Sequence, residues 1–430
     1  MITRKFWLLV LLTFLLVFLG LVTLHGGLIA LALPLCLYLG AGILYAPDEP
    51  RLQAVRTIST DKALQQAPVG VELAVTNQAA ILEEVALQDL IPDQLEITQG
   101  ETGKLLSFAA GDTVRWHYTL RGGRGFYKLD KVQVTVNDHF DLFQTRQLIS
   151  APGQVLLLPE AMRLRRVVIR PPQTRGFTGP IPARTNGTGV DFLEVREYQL
   201  GDALRKINWR ISARNHDMLF TNQFEQERIA DVGLILDARQ QANLVTREGS
   251  LFEYAVRATA SLAETFLNDG HRVSLLVYGF GLETVYPGYG KVQQKRILSM
   301  LAHASPGSNF ALDSLNHLPT RLFSARSQLV LISSLNHEDL QAYVRLRSQG
   351  YDVLLISPDP VAFEARNYQE FPGMQYPRRL AQVERRLLLN QLRRIGVRVV
   401  DWQVDQPLDR TIHVALAQQP AHQRILQGMR

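Results

Sequence analysis

Two uncharged apolar runs near the N-terminus constrain this chain more than any other feature. Residues 6–24 and 28–45 are almost wholly apolar, and His25-Gly26-Gly27 separates them. Each run reaches the roughly 18–20 residues that cross a hydrocarbon core as a helix. The Gly-Gly break suits a tight turn, so a transmembrane helical hairpin is expected within residues 1–48. Pro34 would kink the second helix without forbidding it, because neighbouring groups re-satisfy the backbone. A cleaved signal peptide, with Arg4-Lys5 as its basic start, is the competing reading. Two consecutive runs without a clear small-x-small cleavage site favour the hairpin. Arg4 and Lys5 precede the first run and Arg51 and Arg56 follow the second, which places both flanks on the cytoplasmic side. An even number of spans then puts the soluble chain in the cytoplasm.

At 430 residues the chain has room for two or three domains. Its 46% hydrophobic and 20% charged composition excludes a disordered or low-complexity protein. The single cysteine, Cys36, lies in an apolar run. That excludes an intramolecular disulfide framework, a cysteine-cluster zinc site and a thiolate nucleophile in the aqueous part. The net charge of +6 is modest, so where the charges fall matters more than their sum.

Residues 50–150 alternate polar and apolar over short stretches, as in 69–76, 113–120 and 129–136, with turns at Gly111-Asp112 and Gly122-Gly123. This pattern predicts a small antiparallel β-sandwich, immunoglobulin-like. Residues 151–230 form an Arg-rich connector and a charged segment. Arg163, Arg165, Arg166, Arg170, Arg175 and Arg184 crowd with Pro, Gly and Thr, without Asp or Glu over 161–190. Such a stretch reads as an exposed linker, or as a surface for an acidic partner or anionic lipid. From 231 to 430, near-continuous Val/Leu/Ile strands at 231–237, 272–278, 328–333, 352–357 and 397–400 alternate with helices. That predicts a doubly wound α/β domain whose ligands would bind at the carboxyl ends of its strands.

Familiar catalytic signatures are missing. There is no GxxxxGK[ST] loop or GxSxG elbow, and His337-Glu338-Asp339-Leu340-Gln341 lacks the second histidine of a zinc-protease helix. No catalytic residue, cofactor or specific nucleic-acid motif is expected. Two alternatives stay open. One is a hydrolase or transferase using Asp202, Asp237 or His216 in a cleft. The other is anionic-lipid or nucleic-acid binding through the connector and the Arg378-Arg379, Arg385-Arg386 and Arg393-Arg394 pairs, whose bland reading is the wet face of an amphipathic helix and its approach.

The densest stretch is D-F-L-E-V-R-E-Y-Q-L-G-D-A-L-R-K-I-N-W-R-I-S-A-R, residues 191–214. Arg196, Glu197, Tyr198, Gly201, Asp202, Arg205, Ile207, Asn208, Trp209, Ser212, Ala213 and Arg214 fit the signature of the bacterial "domain of unknown function 58" family, which the chain resembles. Asp138-His139-Phe140-Asp141-Leu142-Phe143 is similar to a weaker mark of that family. Physically, Arg196, Arg205, Arg210 and Arg214 can fork onto Glu194, Glu197 and Asp202, while Tyr198 and Trp209 supply buried area. The segment is then either a structural clasp to the sheet edge or a docking surface, since Trp, Tyr and Arg dominate hot spots.

The resemblance implies a von Willebrand factor A-like C-terminal domain, which often holds Mg²⁺ through D-x-S-x-S, a Thr and a further Asp. Here Asp237 is followed by Arg239 and Gln241 in place of the serines, Ser308 stands at the expected Thr position, and Ser334 replaces the second carboxylate. Arg239 beside Asp237 opposes a divalent cation, so a degenerate, metal-free site is expected. The resemblance further implies a non-catalytic, membrane-anchored interaction scaffold of the bacterial plasma membrane. Its partner would be a MoxR-type AAA+ ATPase, and its task the assembly or maturation of membrane or envelope complexes.

Overall fold

The computed structural model describes residues 3–44, 50–79, 81–137, 140, 142–169, 181–214, 218–246, 249–366 and 375–417, without the side chains of 83, 181–193 and 224–228. The chain divides into two units, Met1–Leu158 and Pro159–Arg430.

The first unit begins with helices α1 (Arg4–Val22) and α2 (Gly26–Leu44), each of 19 residues. At 1.5 Å per residue each is about 28 Å long, enough with its apolar composition to cross a membrane. A Cβ on Gly20 would stand 2.7 Å from Ile29 Cγ1, so this glycine sets how closely the two helices approach. Strands β1 (Leu52–Ile58), β2 (Lys62–Leu64), β3 (Val69–Asn77), β4 (Leu82–Asp89), β5 (Leu95–Gln99), β6 (Gly103–Phe108), β7 (Thr113–Gly122), β8 (Gly125–Asn137) and β9 (Gln144–Leu158) follow. They form a four-stranded sheet, β1-β3-β7-β5, and a five-stranded sheet, β2-β9-β8-β4-β6. Every pairing is antiparallel except β2 with β9. Period-two residues explain the layering. Val71, Leu73, Val75, Trp116 and Tyr118 of one sheet share a core with Val85, Leu87, Val132, Val134 and Val136 of the other.

Arg56 corrects the charge argument for orientation. It is buried with Asp89 and also donates to the carbonyls of Leu129 and Ala151. A charge neutralised inside a protein core does not act at a membrane surface, which leaves Arg4, Lys5 and Arg51 as the flanking cations.

The second unit opens with residues 159–169. Val167 and Ile169 are buried in the core here, so the connector is anchored at these two positions, while Arg163, Arg165 and Arg166 are exposed as expected. Met162 N–H donates to Ser261 Oγ at 2.7 Å and Arg165 N–H to Asp409 Oδ1 at 2.6 Å. Arg170 and Arg175 lie outside the described residues. A ribbon of β10 (Ile181–Glu197) and β11 (Phe220–Arg228) encloses the short helix α3 (Trp209–Ser212). Then come β12 (Asp231–Asp237), the small β13 (Val245–Thr246) and β14 (Gly249–Ser250) pair, α4 (Leu251–Asn268), β15 (Arg272–Tyr278), β16 (Leu282–Gly288) and α5 (Gly290–His303). The chain continues with β17 (Gln328–Ile332), α6 (Leu340–Ser348), β18 (Asp352–Pro358), α7 (Pro360–Ala365), α8 (Gln375–Arg394), β19 (Arg398–Trp402) and α9 (Leu408–Ala417).

Six of these strands make one sheet, β16-β15-β12-β17-β18-β19. Five run parallel; β16 is antiparallel to β15, an edge the sequence did not announce because Val285 alone among its residues is fully buried. Leu234, Leu236, Val330, Ile332, Leu354 and Ile356 face α4, α5 and α9, while Ile235, Leu329, Leu331, Val353 and Leu355 face α6 and α8. Burial of both faces is why these strands read as unbroken apolar runs.

Candidate functional site

The signature segment folds back on its own ribbon. Arg196 pairs with Thr221 and Glu197 with Phe220 across β10 and β11. Gly201 adopts φ +107°, which lets the chain turn between Gln199 and Asp202. Asp202 Oδ2 accepts the Gln199 N–H at 3.0 Å and Oδ1 accepts Arg196 Nη2 at 2.7 Å. The Gln199 bond first, then Arg196, holds the Asp202 carboxyl below the usual range. Arg196 Nη1 also donates to Glu197 O at 2.8 Å. Asn208 caps α3 by accepting Ile211 N–H at 3.1 Å and donates to Asn222 Oδ1 at 2.8 Å. Ser212 Oγ accepts Phe220 N–H at 2.9 Å.

With Ile207 and Ser212 taking the inward positions, Trp209 points outward and is 65% exposed. The burial expected for it is therefore corrected; Tyr198 is half-buried. Leu200 is fully exposed, and Leu204, Met218 and Leu219 are exposed as well. Arg205, Arg210 and Arg214 of the same segment are exposed too. The arrangement is a hydrogen-bonded frame presenting an apolar and cationic surface.

The second cluster lies at the carboxyl end of the six-stranded sheet. From β12 the chain builds outward to β15 on one side and to β17 on the other, so the crevice between β12 and β17 is the topological switch point where open α/β sheets bind ligands. Asp237 ends β12. Arg239 Nε donates to Asp237 Oδ1 at 2.9 Å and Nη2 to Oδ2 at 2.7 Å. The same guanidinium donates to Asp339 Oδ1 at 2.9 Å from Nη1 and to Oδ2 at 2.8 Å from Nη2. Nη1 also reaches Asp313 O at 2.8 Å. All three charged side chains are buried. Ser333 Oγ donates to Asp237 Oδ2 at 2.6 Å, and Asn336 N–H to Asp339 Oδ2 at 2.9 Å. Burial alone would lower the Arg239 pKa; the bonds to Asp237 and Asp339 outweigh it and push it up. Burial also raises Tyr278 beside the triad to about 12.

Asp339 is the residue that sequence reasoning missed. Its position 100 residues beyond Arg239 hides the relationship, although Asn336-x-x-Asp339 is a legible capping box. Ser334, assigned the second ligand position, instead donates to Ala242 O, and Ser333 takes the place on Asp237. Gln241 Nε2 donates to Asp313 O at 2.6 Å, and Ser308 is exposed. Because all four carboxylate oxygens already accept from Arg239, the donor set does not fit Mg²⁺, which needs six oxygens around an open centre. Among the described residues no group of three or more His, Cys, Asp or Glu is placed to hold a metal.

For the enzymatic alternative, Asp202 sits on the ribbon and Asp237 in the crevice, while His216 lies outside the described residues, as do Asp138, His139 and Asp141 of the weaker family mark. For the lipid alternative, Arg385 is not on a wet face. On α8 it is half-buried, donating to Asp401 Oδ1 at 2.7 Å, Ser334 O at 3.1 Å and Ser357 Oγ at 3.0 Å. Arg378, Arg379, Arg386, Arg393 and Arg394 are exposed.

Residues 194–362, which include the framed surface and the whole triad, match the family described as "Protein of unknown function DUF58". The chain is 25% identical over 252 residues to "Uncharacterized protein YeaD" of Bacillus subtilis (strain 168), covering 57% of this chain and 60% of that protein. It thus spans about three-fifths of that relative's length. Among solved structures, the cupredoxin domain of amoB from Nitrosocaldus yellowstonii gives a TM-score of 0.19 at 11% identity, covering 28% of this chain and 95% of that one. A FixG-related protein from Vibrio parahaemolyticus gives 0.17 at 11%, covering 26% and 98%. Likenesses this low carry no functional weight.

Proposed function

We propose that this chain is a membrane-anchored, non-catalytic interaction scaffold whose signature segment docks a protein partner. One observation carries the reading: Leu200, Leu204 and Trp209 are exposed, as are Arg205, Arg210 and Arg214, on a ribbon whose backbone is pinned by Arg196–Asp202 and Asn208. Exposed aromatic and Arg side chains on a preorganised frame are what hot spots require. In this reading α1 and α2 anchor the chain, and Arg4, Lys5 and Arg51 keep the soluble units on the cytoplasmic side. The two-sheet unit is an immunoglobulin-like spacer and the second unit a von Willebrand factor A-like domain. The partner is a MoxR-type AAA+ ATPase, as the signature resemblance implies.

The test is crosslinking in native membranes, followed by purification of the tagged full-length chain and identification of what accompanies it. An AAA+ ATPase recovered with the wild type and lost with Trp209→Ala supports the proposal. Recovery of the ATPase undiminished with Trp209→Ala moves the contact elsewhere on the chain. Absence of any ATPase from the wild-type sample rejects the assigned partner.

A further inference from the structure

We propose that Arg239 is the permanent cation of the switch-point crevice: it does structurally what an exchangeable divalent ion would do there, and so fixes the loop from Ser333 to Asp339 without any metal. Two carboxylates buried at one point need a positive charge between them, since an uncompensated buried charge costs far more than a paired one. Arg239 Nη2 lies 2.7 Å from Asp237 Oδ2 and 2.8 Å from Asp339 Oδ2, so one nitrogen occupies the point that a bridging ion would take. Ca²⁺ binds oxygen at about 2.3–2.6 Å, only a few tenths of an ångström closer. The surroundings hold the guanidinium further: the Asp313 carbonyl accepts from Nη1, and Ser333 Oγ donates to the same Asp237 oxygen and so fixes that carboxylate.

The consequence is a difference in control. A bound ion exchanges with solvent and is stripped by chelators, so loops that rest on it respond to divalent concentration. A guanidinium tethered two residues beyond Asp237 can neither leave nor lose its proton near neutral pH. The loop carrying Asp339 begins with Leu335 at φ +71°, an uncommon backbone state for leucine that this arrangement holds. Asn336 and Asp339 close it through their capping box. Three stretches of chain, at Asp237, Asp313 and Asp339, are therefore tied by one side chain into a single conformation.

Thermal unfolding of the full chain in detergent, in chelator and in millimolar Mn²⁺ or Ca²⁺, tests this. The wild-type midpoint should be the same in all three conditions. Arg239→Ala should lower the midpoint by roughly 10 °C, and Mn²⁺ or Ca²⁺ should restore part of the loss by entering the vacated point. That recovery should vanish when Asp339→Asn is added. If Arg239→Ala does not accumulate folded, Arg239→Lys is compared with Arg239→Gln, and only the charged variant should fold. The proposal is overturned by a wild-type midpoint that rises with Mn²⁺ or Ca²⁺, by an Arg239→Ala loss that no cation restores, or by Arg239→Gln matching Arg239→Lys.

Discussion

Arg56 and Asp89 face each other inside the two-sheet unit with neither side chain exposed to solvent. Arg56 lies on β1 of one sheet; Asp89 ends β4 of the other and also accepts the Tyr118 hydroxyl. Arg56 Nη1 reaches the carbonyls of Leu129 on β8 and Ala151 on β9. The pair is therefore a polar node that fixes one sheet against the other. Removing one partner of a buried pair costs about 3–5 kcal/mol, whereas replacing both with apolar groups is often tolerated. Arg56→Met should raise hydrogen exchange across β1, β8 and β9, and the Arg56→Met/Asp89→Leu double variant should raise it less. A double variant that exchanges faster than Arg56→Met refutes the node.

Much of the architecture was legible because burial writes itself into periodicity. The half-buried β3 and β7 alternate, while β12, β17 and β18 are continuous because helices cover both their faces. Asp237 and Arg239 were legible as neighbours because they are two residues apart. Asp339 was not, since strand order rather than sequence brings it to the crevice. Arg56 misled for the same reason: beside an apolar run it reads as a membrane flank, and only the sheet packing turns it inward. The exposure of Trp209 was likewise hidden, because the four-residue α3 and its Asn208 cap decide which way that ring points.

His271 provides a pH-dependent signature. It is buried just before β15, where Nδ1 accepts the Ala230 N–H at 3.4 Å. Burial first, then the Arg166 guanidinium, lowers its pKa from 6.5 to about 4. The unfolded chain thus takes up a proton below pH 6.5 that the folded chain refuses. Stability from this group is complete above pH 6.5 and falls as pH drops toward 4, by about 2 kcal/mol at pH 5 and about 3 kcal/mol in all. Asp269, whose carboxyl burial pushes up, acts in the opposite sense, so the measurement belongs in an Asp269→Asn background. Denaturant titrations between pH 7 and 5 should show the loss, and His271→Gln should flatten it.

Gly279 sits where β15 leaves the sheet beside the crevice. A Cβ there would stand 2.6 Å from the Ala238 carbonyl oxygen and 2.9 Å from its carbon, and backbone cannot swing away as a side chain can. Gly279→Ala should therefore cost about 1–3 kcal/mol, in the range of overpacking. Gly281, two residues on, has open space at the same test position. Gly281→Ala should leave the unfolding midpoint unchanged, and equal losses from the two variants would falsify the steric account.

Asn208 and Trp209 are adjacent yet should fail in opposite ways. The Asn208 side chain accepts the Ile211 N–H and donates to Asn222, so Asn208→Ala removes a helix cap and a bond to β11 at once. The cap alone is worth about 1 kcal/mol. The loss should appear as faster exchange over residues 208–212 and in β11 near Asn222. Trp209 is exposed, and truncating an exposed side chain away from such features changes stability by no more than about 0.5 kcal/mol. Trp209→Ala should therefore leave exchange in the ribbon as it is while abolishing partner capture. If Trp209→Ala instead loosens the ribbon as much as Asn208→Ala does, the tryptophan is part of the frame, and the docking surface reduces to Leu200, Leu204 and the arginines of the same segment.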